Sequence, residues 1–134
     1  MASGEERESR MTPQEDSEET RPVAEETVTL CGASSYEQKY YLNPLFSRLP
    51  DDMKDQLKVI CVLFTEEIGG SFFMEFDEHA KLQFRTMARE SDYNYDEIGA
   101  ALMIKEIRKS REPFLASLEM FYRVLILGLP MEEE

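Results

Sequence analysis

Two short stretches with a period of two constrain this chain more than any other feature. In Ser71–Asp77 the side chains of Phe72, Met74 and Phe76 alternate with Ser71, Glu75 and Asp77. In Lys81–Arg89 the set Leu82, Phe84, Thr86 and Ala88 alternates with Lys81, Gln83, Arg85 and Arg89. Successive side chains of a strand point to opposite faces, so both stretches read as strands with one apolar face. Antiparallel partners share a face, and a slip of one residue would turn the apolar set outward. Only one parity serves both: Phe76 opposite Leu82, Met74 opposite Phe84 and Phe72 opposite Thr86, around the loop Glu78-His79-Ala80.

The same rule extends upstream. Val59 to Phe64 is a continuous apolar run that a buried strand and a buried helix both permit. Its β-branched and aromatic content, with Gly69-Gly70 just beyond, predicts a strand over Leu57–Glu66. Phe64 then pairs with Phe72 around Glu67-Ile68-Gly69. The resulting sheet carries Ile60, Val62, Phe64, Phe72, Met74, Phe76, Leu82 and Phe84 on its apolar face. Its other face mixes Val59, Cys61, Leu63, Phe73 and Met87 with Lys58, Glu75, Gln83 and Arg85.

Helical patterns flank this meander. Ser34 or Ser35 can cap a short helix through Leu42, which Asn43-Pro44 interrupts. Downstream, Ala100, Ile104, Ile107, Arg111, Phe114, Leu118, Phe121 and Leu125 step by four and three, the signature of one helical stripe. Asp96 is its expected N-cap, Pro113 an expected kink or local break, and Gly128 with Pro130 the stop. The expected fold is therefore α+β, in the order α-β-β-β-α: a three-stranded antiparallel meander packed on a long C-terminal helix.

Residues 1–29 hold nine acids against three bases and almost no large apolar side chains. Such a stretch cannot bury enough surface to offset its ordering entropy, so a disordered acidic tail is expected. One domain over 30–128 and a short acidic tail over 129–134 complete the organisation. The whole chain of 134 residues has a formal net charge of -13, which disfavours nucleic acid and anionic membranes as partners and favours basic ones. There is no apolar run of 18 residues and no signal-like stretch in the first 30, and two cysteines cannot make a disulfide framework. A cytoplasmic protein with reduced thiols is the expectation.

Chemistry is harder to find. Cys31, Cys61 and His79 are the only Cys and His ligands, too few for a structural zinc site, so no metal is expected. Asp92-Tyr93-Asn94-Tyr95-Asp96 resembles the start of a calcium loop, but Glu97 and Met103 stand where that loop wants Gly and Glu. Cys61 in mid-strand reads as an inert buried thiol, and Cys31 beside Gly32 as one that could be exposed. Gly69-Gly70-Ser71 lacks the lysine and spacing of a phosphate loop. No catalytic residue, cofactor or metal is assigned. The competing reading is a small carboxylate-dependent hydrolase or ligand-binding enzyme around Asp92, Asp96 and Asp77-Glu78-His79.

The mixed face offers a different function. Val59, Cys61, Leu63, Phe73 and Met87 would form an apolar patch away from the long helix. Either residues 30–49, with Tyr36, Tyr40, Tyr41, Leu45 and Phe46, fold over it, or it receives a protein partner or a second copy of the chain. The expectation is a protein-interaction module, self-associating or antagonising its partner, and not an enzyme.

The stretches Leu30–Glu37, Cys61–Gly70, Tyr95–Gly99 and Tyr122-Arg123-Val124 resemble a family of small acidic bacterial proteins of unknown function, over about residues 28–128. That resemblance implies a bacterial, cytoplasmic origin and no assigned activity. The order of elements is also similar to that of some bacterial immunity proteins, an analogy of fold that does not carry function.

Overall fold

A computed structural model describes residues 27–129. Four strands and three helices follow one another as β1 (Val28–Ser34), β2 (Lys39–Leu42), α1 (Asp51–Glu67), β3 (Ser71–Phe76), β4 (Leu82–Met87), α2 (Glu97–Ser110) and α3 (Glu112–Phe121). A 3-10 turn at Pro44–Phe46 precedes α1, and a π turn at Tyr122–Ile126 extends α3. The expected acidic stretch before Thr27 and the end of the chain after Leu129 lie outside the described residues. The N-terminal boundary moves slightly, because Val28 and Thr29 already belong to β1.

The fold is α+β, but its sheet has four antiparallel strands in the order β2-β1-β3-β4 rather than three in a meander. The β3–β4 hairpin has the expected register, with Phe72↔Thr86, Met74↔Phe84 and Phe76↔Leu82. Its loop closes as a three-residue turn in which Asp77 N–H donates to the Lys81 carbonyl at 2.9 Å and Ala80 takes a φ of 62°. Asp77 Oδ1 also accepts from the N–H groups of His79 and Lys81, supplying polar partners that the turn would otherwise lack.

Two expectations are overturned. Leu57–Glu66 is not a strand but the body of α1. Leu57, Ile60, Cys61 and Phe64 are its buried apolar residues, spaced by three, one and three, a helical stripe concealed within the apolar run. Pro50 with Asp51 and Asp52 starts the helix, where acids suit the N-terminal dipole. The glycine pair ends it with φ values of 93° and 69° at Gly69 and Gly70 rather than forming a hairpin loop. Phe64 still meets Phe72, but as a helix-to-sheet ring contact with centroids 4.2 Å apart.

The second correction concerns Leu30–Leu42, which forms the β1–β2 hairpin rather than a short helix. β1 lies between β2 and β3, so its backbone groups are taken up on both sides. Ser34 Oγ accepts from Glu37 N–H across the turn, instead of capping a helix. The register shifts between Thr29 and Cys31, leaving Leu30 as a bulge residue that is fully buried, as is Cys31.

The C-terminal region is helical as expected, but as two helices and a π turn rather than one long helix. Asp96 caps α2 by accepting from Gly99 N–H at 2.8 Å, and the helix breaks at Arg111 before Pro113 starts α3. Gly128, with a φ of 74°, follows the π turn. The core lies between one face of the sheet and the helices. It is built on Phe46, Phe64, Phe72, Phe76, Met74 and Leu118, with Tyr122 stacked on Phe76 at 4.1 Å. Among the described residues, no helix is long and apolar enough to cross a membrane.

Candidate functional site

The strand register places every sheet side chain on one of two faces. Tyr40, Ala33, Phe72 and Thr86 form one cross-strand row, and Leu42, Cys31, Met74 and Phe84 form the next; both look into the core beneath α1 and α3. The opposite parity gives the row Tyr41, Gly32, Phe73 and Arg85, with Lys39, Ser34, Ser71 and Met87 alongside. Four strands spaced about 4.8 Å apart make such a row roughly 14 Å wide. Residues 30–49 do not fold over this face. Of these, β1 and β2 join the same sheet edge to edge and Phe46 and Leu49 pack into the core, and among the described residues no helix lies across this face.

Local chemistry shapes the bare face. A Cβ at Gly32 would come within 2.5 Å of the Phe73 ring, so the absence of a side chain lets that ring lie flat over β1. The Arg85 guanidinium stacks on the other side of Phe73, with its carbon 4.5 Å from the ring centroid. Arg85 also grips Glu75 through Nε at 2.8 Å and Nη2 at 2.6 Å, and Nη1 reaches the sulfur of Met87. Glu75 is only 9% exposed although it stands on the solvent side, so this pair is partly desolvated. Tyr41 and Met87, each 52% exposed, complete an apolar surface around a guanidinium.

The five residues expected to form the patch are thus divided. Phe73 and Met87 share the bare face. Cys61 is fully buried on the inner side of α1, and Val59 and Leu63 are exposed on α1, on the far side of the sheet. The patch was defined by a strand that is a helix, whose 100° step separates residues that alternation would have aligned. Tyr41 and Gly32 were not singled out for this face. Their parity becomes readable only once 39–42 is a strand.

Elsewhere the carboxylates of the competing hydrolytic reading are engaged locally. Asp96 caps α2, and Asp77 organises its turn and accepts from the Gln83 amide. Asp92 accepts from the Tyr36 hydroxyl at 2.7 Å, a bond that raises the Tyr36 pKa, and Arg89 lies over the Tyr36 ring at 4.3 Å. Among the described residues, no three Cys, His, Asp or Glu side chains converge in a way that could hold a metal ion. A cleft of about 600 Å³ opens between the β1–β2 hairpin and α1, with Lys39, Lys58, Glu66, Tyr40 and Thr65 in its lining.

No curated protein and no solved structure matches the chain. A family model does match, over residues 27–130, which takes in the whole sheet and all three helices. The chain belongs to DUF6145, a family of unknown function.

Proposed function

We propose that this chain acts by binding another protein, and that the bare face of the sheet is the contact surface. The observation that carries this reading is the Tyr41–Gly32–Phe73–Arg85 row, an aromatic and guanidinium strip with no covering layer among the described residues. Tyrosine, phenylalanine, methionine and arginine are the residue types that concentrate at the centres of protein interfaces. Ile98 and Leu102 on α2 are more exposed, at 75% and 62%, but they are two side chains one turn apart rather than a sheet-wide row. The bare face is also where a chain of net charge -13 presents Lys39 and Arg85 against a single carboxylate, Glu75. An approach there meets less acidic repulsion than the net charge imposes elsewhere.

Affinity capture from the producing cells, quantified against variants, tests the reading. A protein retained by the native chain and by Ile98→Asp should be lost from the double variant Tyr41→Asp/Met87→Asp. Retention that follows Ile98→Asp instead would move the site to α2.

A further inference from the structure

The core holds one chemical pairing that the binding face does not use. Cys31 on β1 and Cys61 on α1 are 30 residues apart in sequence, yet their sulfurs stand 3.5 Å apart, and both residues are fully buried. We propose that this pair is a modification site: a dithiol that a two-electron thiol oxidant closes into an intramolecular disulfide, bonding an inner strand of the sheet to α1.

The geometry asks for little. A disulfide needs its sulfurs about 2.05 Å apart, so the two Sγ atoms must close by roughly 1.5 Å, a distance within reach of side-chain rotation. No third thiol exists in the chain to compete for either partner. Access sets the rate. Hydrogen bonding with Cys31, then burial, pushes the Cys61 thiol well above the usual range, which keeps it protonated and slow. The cleft between the hairpin and α1 runs past Ala33 and Val62, close in sequence to the two cysteines. Tyr40 lines that cleft with a buried hydroxyl, whose pKa is pushed up by burial and then by the two thiols beside it. Oxidation should therefore follow local opening of the β1–β2 hairpin away from α1.

With diamide, a neutral diazene, the step balances as follows. One thiolate adds to a nitrogen of the N=N bond, giving a sulfenylhydrazine. The second sulfur then attacks the first, forming S–S and breaking S–N. The hydrazine leaves with the two electrons and the two protons that the thiols gave up.

The test uses the full chain incubated overnight with diamide and analysed by intact mass, non-reducing peptide mapping and thermal unfolding. The expected product is a monomer two hydrogens lighter, with a Cys31–Cys61 linked peptide, unchanged far-UV circular dichroism and a melting midpoint raised by at least ~5 °C, all reversed by dithiothreitol. Mild urea, which populates open states, should speed its formation. Cys61→Ala should give no internal link. Two thiols still titratable after this treatment in urea, disulfides only between chains, or a linked monomer with a lowered midpoint would each overturn the proposal. Because it concerns the inner face, its failure would leave the binding reading untouched.

Discussion

The two faces of the sheet are made from the same four strands and differ in one respect: among the described residues, one is packed and the other is not. Phe72 and Phe73 are neighbours in sequence and pair with neighbours on β1 and β4. Phe72 is fully buried between Phe64 and Phe84, while Phe73 is held only from the side, by Arg85 above it and the empty position of Gly32 beneath it. A one-residue difference in parity thus separates a residue buried in the core from one left partly exposed on the other face. The contrast teaches that apolar content alone does not mark a core; a second layer does.

The contrast makes graded predictions. The largest effect belongs to the packed face: Phe72→Ala should cost about 3–5 kcal/mol in urea denaturation, because it removes a ring from a close-packed stack. Phe73→Ala should cost roughly 1 kcal/mol or less, since its ring is already partly solvated. Equal losses would break the comparison. Next comes Gly32→Val, expected to cost about 1–3 kcal/mol by forcing the Phe73 ring off β1 and to weaken partner capture at the same time. Arg85→Ala should follow at about 1–2 kcal/mol, less than a fully buried pair would lose, because Arg85 is half exposed while Glu75 is left nearly buried without its cation.

The smallest effect is at the hairpin turn that joins β3 to the edge strand β4. Burial acts to raise the Asp77 pKa, but the N–H groups of Lys81 and His79 and the Gln83 amide outweigh it, so the carboxyl titrates below its ordinary value. A depressed folded pKa stabilises above the unfolded value and loses that stabilisation as pH falls through the folded one. Asp77→Asn should therefore cost a few tenths of a kcal/mol at neutral pH, about 0.5 at most after solvent screening. The gap between variant and native chain should close in denaturation curves as the pH falls through that lowered folded value.

How far the sequence could be read follows the same physics. The β3–β4 hairpin was legible because Phe72, Met74 and Phe76 face Leu82, Phe84 and Thr86 with unbroken alternation, and the α2 cap because Asp96 stands just before the apolar stripe. β1 was not legible because the bulge at Leu30 and the small residues after it give four buried positions in succession, Leu30 to Ala33, with no period of two. α1 was not legible because Val59, Val62 and Leu63 fill its partly exposed sides with apolar residues, so its stripe does not stand out from its surroundings. The division of the expected patch between the bare face and α1 has the same origin. Phe73 and Met87 come from the legible hairpin; Val59, Cys61 and Leu63 come from the helix mistaken for a strand.

Site-specific photo-crosslinking tests the central claim most directly. A photoreactive phenylalanine analogue at position 41 or 87 reports contacts on the bare face, and the same analogue at 98 or 102 reports contacts on α2. The account predicts a protein adduct, or a covalent dimer of the chain, from 41 and 87 with little from 98 and 102. Adducts confined to 98 and 102, with 41 and 87 reacting only with water, would contradict it.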